Sequence, residues 1–217
     1  MNLFSTDSPI MRILSLLSDL LILHFLWLLY SLPVITIGAS TTALYYTMMK
    51  RIRTDEGMLF HNFHSSFRSN LKQATILWLL VILAIMVLIL DFRFCLMFPV
   101  EVRKLMLIAY ALILIPVSFT CLYVFPVQAK FENRTINNLK NAFLMSILNF
   151  PYTLLLVLLT GLSLIIGFLF PQWILIFLIF GMGVYSYITS FVYIKVFRKY
   201  IPNEEEEDKE KRGEKLY

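Results

Sequence analysis

Ser31-Leu32-Pro33-Val34-Ile35-Thr36-Ile37-Gly38-Ala39-Ser40-Thr41-Thr42-Ala43-Leu44-Tyr45-Tyr46 is the stretch that decides the fold. A long apolar segment precedes it, and Lys50-Arg51-Ile52-Arg53 follows it. Pro33 has no backbone N–H to continue a helix, and Gly38 tolerates the dihedrals of a turn. Next come small and hydroxylic residues, the types that start a helix and let two helices approach closely in lipid. The stretch predicts the turn of a transmembrane hairpin, spanning Pro33 to Gly38, and the start of the hairpin's second arm. Gly38 pairs with Thr42, and Ala39 with Ala43, at small-xxx-small spacing, while Ser40 is positioned to cap the second helix. This turn, with Gly38, Ser40, Thr41 and Thr42, is either a packing contact or a ligand site, because a helix N-terminus can bind a carboxylate or phosphate oxygen.

Composition extends the same reading to the whole chain. Of 217 residues, 59% are hydrophobic and 15% charged, against roughly 45–50% and about 25% in soluble domains. Asn141 to Ile194 is a run of 54 residues without a charge, and one membrane span needs about 20 residues. The chain therefore predicts an all-α polytopic membrane protein with the lipid bilayer as its first partner. Its basic residues form short clusters between spans, which excludes nucleic acid as a partner. Cys95 and Cys121 form neither a CxxC pair nor a metal spacing, so Cys121 reads as a lone buried thiol. The first apolar run is too long for a signal-peptide core and has no small-residue cleavage site, so it is expected to stay as an anchor.

Taken in order, Asp7-Ser8-Pro9 offers a helix start. Six spans are expected, at roughly 12–33, 37–50, 73–92, 105–129, 141–169 and 173–195. The second is short: 14 residues cover about 21 Å of a core about 30 Å thick. Between spans 2 and 3, Leu59 or Phe60, Phe63 and Phe67 recur opposite His61, Ser65 and Arg68, predicting an amphipathic helix lying in the membrane interface. Pro116 and Pro126 are expected to kink span 4. Residues 1–202 form one membrane domain, and 203–217, nearly all charge, should be a disordered cytosolic tail that cannot bury enough apolar area to order itself.

Lys and Arg set the orientation. With span 1 leaving the cytosol, sixteen fall inside and three (Arg93, Arg103 and Lys104) fall outside, so both termini are expected in the cytosol of a bacterial cell. Trp27, Tyr30 and Trp173 then fall near the outer interface and Trp78 near the inner. A short echo links Asn70-Leu71-Lys72-Gln73-Ala74 to Asn138-Leu139-Lys140-Asn141-Ala142, 68 residues on, at the cytosolic start of two spans. Transporters often carry such symmetry.

Asp19 is the one carboxylate in the interior of an expected span, Asp91 marking the end of the third, and such residues have either a structural partner or a function. Its position near the cytosolic face favours structural pairing with the basic residues there. His24, one turn deeper, reads as a satisfied hydrogen bonder. His61 and His64 lack a third ligand, so no metal site is expected. There is no G-x-x-x-x-G-K-[ST] loop and no Ser-His-Asp or paired-carboxylate constellation. The chain is therefore expected to be non-catalytic and to need no cofactor.

Several stretches carry a resemblance. They are Asp7-Ser8-Pro9 with Asp19-Leu20-Leu21-Ile22-Leu23; Leu32 to Tyr46; Phe67 to Trp78; Phe125-Pro126 with Phe131-Glu132-Asn133 and Leu139-Lys140-Asn141-Ala142; and Ser190 with Phe197-Arg198-Lys199-Tyr200. Together, over about residues 3 to 202, they resemble the YesL-like family of bacterial integral membrane proteins, a family of unknown function. His24 stands where that pattern has Asn. The resemblance implies an association with oligosaccharide uptake by ABC transporters, whose subunits would be the partners, and it supplies no catalytic residues. Two functions stay open: an accessory protein of sugar uptake, and a permease-type subunit moving a neutral solute along Ser, Thr, Asn and Tyr side chains. The oligomeric state stays open as well.

Overall fold

The computed structural model describes residues 9–55, 57–169, 174–201, Glu204 and Asp208, with Pro9, Arg12 and residues 174–179 given by their backbone alone. Asp7-Ser8, residues 170–173 with Trp173, and the tail apart from Glu204 and Asp208 lie outside the described residues. Among the described residues there are seven α-helices and no strand. They are α1 (Pro9–Tyr30), α2 (Ile37–Thr54), α3 (Leu59–Cys95), α4 (Val100–Lys130), α5 (Thr135–Leu148), α6 (Phe150–Leu169) and α7 (Ile174–Phe197). Four of them, α1, α3, α4 and α6, are long and apolar enough to cross a membrane. Leu83, Ile85, Met86, Val87, Ile89 and Leu90 of α3 and Leu105, Ile108, Leu112 and Ile113 of α4 are exposed, as side chains solvated by lipid would be. The chain is thus an all-helical protein with the surface of a membrane protein.

α1 and α2 do form a hairpin: Asp19 meets Arg51, and Trp27 meets Thr41. Its turn is shorter than expected. Val34–Thr36 make one turn of 3₁₀ helix, and α2 begins at Ile37, so Gly38 lies inside the helix. The Thr36 hydroxyl donates to the carbonyls of Tyr30 and Pro33, both at 2.7 Å. Trp78 Nε1 donates to the Val34 carbonyl at 2.9 Å. That bond puts the turn, expected at the outer face, level with a tryptophan expected at the inner interface, so the two expectations cannot both hold. α3 continues from Trp78 to Cys95, about 25 Å further at 1.5 Å per residue. α2 is also absent from the helices apolar enough to span.

The separate interfacial helix is not found. Residues 59–70 are the first third of α3, which runs unbroken for 37 residues, because no Gly or Pro interrupts it after Met58. The amphipathic split holds, with His61, Ser65 and Arg68 exposed and Leu59 and Phe63 buried. The apolar face, however, packs on α1 and α2 and not on headgroups: Phe63 joins Leu20, Leu23, Leu44 and Met48 in one cluster. The span expected at 141–169 is in fact two helices. Asn149 leaves helical geometry at φ −110° and ψ 43°, and Pro151 has no N–H with which to continue the ladder. Pro116 and Pro126 lie within α4.

Two glycines permit the closest helix contacts. A Cβ on Gly183 would lie 2.5 Å from the Leu20 carbonyl oxygen, where α7 touches α1, and one on Gly38 would meet α3.

Candidate functional site

The polar residues at the start of α2 are turned inward and used for packing. Gly38 has its Cα against α3 and α4: an added Cβ would stand 2.6 Å from both the Ala74 carbonyl oxygen and Trp78 Cβ, and 3.0 Å from Phe125. Ser40 is not a cap, because the helix starts three residues earlier. Its buried hydroxyl donates back to the Thr36 carbonyl at 3.1 Å, and Thr42 likewise donates to Gly38 at 2.9 Å. These backward bonds satisfy hydroxyls inside a helix. Thr41 accepts from Trp27 Nε1 at 3.1 Å and so ties α2 to α1.

Asp19 has the structural partner expected of it. The Arg51 Nε donates to Asp19 Oδ2 at 2.8 Å, with both side chains largely buried, and Arg51 also bonds Asp55. Asp55 closes α2 in the left-handed conformation, φ 57°, which an Asp tolerates better than most residues. His24 is 2% exposed and has ring neighbours in Phe25 and Trp27. His64 is hydrogen-bonded through Nδ1 to the Tyr30 hydroxyl at 2.7 Å and stacked on Phe60, so it fastens α1 to α3. Among the described residues no group of three His, Cys, Asp or Glu side chains is placed to hold a metal ion.

Residues 20–92 match the model of a protein family of unknown function, DUF624. The matched segment runs from Leu20 in α1 to Phe92 in α3, and so holds the hairpin turn, Gly38 and Arg51. No curated protein and no solved structure matches the chain.

Two arrangements were not anticipated. The first is a buried amide cluster between α3, α4 and α5. Gln128 Nε2 donates to Asn70 Oδ1 and Gln73 Oε1, both at 2.9 Å, while Asn138 Nδ2 donates to Gln128 Oε1 at 2.7 Å. Asn70 and Asn138 are the first residues of the two echoed pentapeptides, and Ala74 and Ala142, their last, are both fully buried. The echo is therefore visible as Asn70, well inside α3, and Asn138, in the first turn of α5, both bonded to one glutamine.

The second overturns the expected solvation of the tail at two residues. Glu204 and Asp208 are 3% and 0% exposed. Arg53 at the end of α2 grips Asp208 through Nε and Nη2 at 2.9 and 2.7 Å, and its Nη1 lies 2.8 Å from Glu204. Lys130, at the end of α4, also bonds Glu204, and Arg198, just past α7, stands 3.6 Å from Asp208. Composition hid this contact because it is an ionic one, with no apolar residue to mark it. Burial pushes the Asp208 carboxyl up, but the hydrogen bonds and charge of Arg53, with the charges of Arg198 and Lys130, outweigh it and hold the carboxyl below its ordinary range.

Proposed function

We propose that this chain is a non-catalytic multi-pass protein of the bacterial cell membrane, accessory to carbohydrate uptake by ABC transport. One observation carries the non-catalytic half: several inward polar groups are bonded to one another across helices, as in Tyr30–His64, Thr41–Trp27, Gln128–Asn138 and Tyr123–Thr153. Groups so committed act as helix fasteners in lipid, each worth on the order of 0.6 kcal/mol. The carbohydrate half rests on the resemblance to the YesL-like family. Purification from native membranes of cells grown on a plant oligosaccharide should bring down transporter subunits with the tagged chain. Recovery of the chain alone under those conditions, together with solute flux by the pure protein in liposomes, would favour the permease reading. A row of hydroxyls supports that second reading: Thr160 bonds Tyr185 at 2.8 Å, Thr189 donates to the Tyr185 carbonyl at 2.8 Å, and Tyr45 bonds Thr189 at 3.2 Å.

The proposed orientation keeps both termini in the cytosol, on the sixteen-to-three charge split, but shortens the first hairpin. The apolar residues of α3 beyond Trp78 need lipid around them, so a turn level with Trp78 lies within the bilayer. The exposed side chains of Leu32, Val34 and Ile35 suit that depth. With Cys95 and Cys121 replaced by Ser, a membrane-impermeant maleimide added outside intact cells should label Met97→Cys and spare Val34→Cys. Equal labelling at the two positions would restore a hairpin that crosses fully.

A further inference from the structure

The ends of α2 and α4 and the residue just past α7 bring Arg53, Lys130 and Arg198 to one place, and a segment of the same chain neutralises them. Their side chains are 14%, 17% and 34% exposed. Three cations held together at that depth would repel one another and lose much of their hydration if nothing negative stood between them. An anion seated among the three cations relieves that repulsion. In this structure the anion is a pair of carboxylates four positions apart, joined to the end of the helical domain by the few residues between Ile201 and Glu204. Such a short tether gives the tail an effective concentration on the order of millimolar.

We propose that Arg53, Lys130 and Arg198 form an oxyanion-binding pocket on the cytosolic face, occupied by Glu204 and Asp208 and open, when the tail leaves, to a phosphate group. Two guanidinium forks and an ammonium match a phosphate at least as well as they match two carboxylates, because each fork can take two phosphate oxygens. The phosphate belongs either to an anionic phospholipid headgroup or to a free phosphate, and the tail is a built-in competitor of both. The proposal rests on the cytosolic orientation given above, which the maleimide labelling tests by itself.

The full chain carrying Glu204→Gln with Asp208→Asn keeps the tail but removes its charge at the pocket. In zwitterionic detergent, its melting temperature should rise by several degrees with millimolar inorganic phosphate, while the unmodified chain responds at least several-fold less. Adding Arg53→Gln to the double variant should abolish the response. Phosphatidylglycerol tested against phosphatidylcholine in mixed micelles separates the two sources: a response to phosphatidylglycerol at concentrations where inorganic phosphate does nothing assigns the pocket to the lipid. The unmodified chain gives a second reading that needs no variant to fold. The effective anion should speed trypsin cleavage at Lys209, Lys211 and Arg212 by several-fold. Unresponsive melting in the double variant together with unchanged cleavage in the unmodified chain overturns the proposal, as does a response that survives Arg53→Gln.

Discussion

Gly38→Leu should leave little folded protein in detergent extracts. The position has no room for even a methyl group: its Cβ would sit 2.6 Å from the Ala74 carbonyl oxygen, a backbone atom in the middle of a 37-residue helix, and 2.6 Å from Trp78 Cβ. Neither neighbour can rotate away. α2 would have to move off α3, and the Trp78–Val34 bond that closes the hairpin turn would go with it. Overpacking a core by a few methylenes costs about 1–3 kcal/mol and occasionally more. Gly38→Ala should therefore fall in that range and Gly38→Leu beyond it. Ser40→Ala, two residues on, is the control. It removes one hydroxyl bonded to its own helix and should cost less than about 1 kcal/mol. Thermal unfolding of the purified variants, followed by tryptophan fluorescence, ranks the three. A Gly38→Leu midpoint equal to that of the unmodified chain, combined with loss of a sugar-dependent growth phenotype in Ser40→Ala, would return this turn to the ligand-site reading.

What the sequence made legible, and what it hid, follows from the kind of force involved. Apolar runs between charges report helices directly, so each expected span overlaps an observed helix. Pro33 marked the break between α1 and α2, because a missing N–H is a local fact. Asp19 was legible as a structural ion pair, because an isolated carboxylate in an apolar run must find a cation. The level of the turn along α3 was not legible. The turn at Val34–Thr36 is set by where Gly38 fits against Ala74, a contact between residues 36 positions apart. Nor was the fusion of the amphipathic segment to span 3, since its polar face gave the same pattern whether its apolar face met lipid or other helices. Asn149 was overlooked beside Pro151, though the proline alone made a break one turn earlier foreseeable. The tail was misjudged for a different reason. Low hydrophobicity excludes a hydrophobic contact, yet it says nothing about two carboxylates that fit three partly buried cations.

Arg53→Ala should destabilise the protein by an amount on the order of 3 kcal/mol, because removing one member of a buried charge cluster leaves the others uncompensated. Arg53 alone supplies three of the short contacts to Glu204 and Asp208, whose side chains are 3% and 0% exposed. Its loss strands both carboxylates beside only Lys130 and a more distant Arg198. If the cost is that of stranded charge, neutralising the carboxylates should recover much of it. The triple variant Arg53→Ala, Glu204→Gln, Asp208→Asn should then be more stable than Arg53→Ala, and the coupling in this cycle should be large and favourable to the native cluster. A second signature is pH. The Asp208 carboxyl is held below its ordinary value, so its contribution is fully present above about pH 3.9, the ordinary value for Asp, and is lost as pH falls through the lowered one. The gap in melting temperature between the unmodified chain and Arg53→Ala should accordingly stay constant from pH 7 to 5 and close below about pH 4. A gap that is absent at pH 7, or a triple variant no more stable than Arg53→Ala, would mean that the tail residues contribute nothing to holding the ends of α2 and α4 and the segment after α7 together.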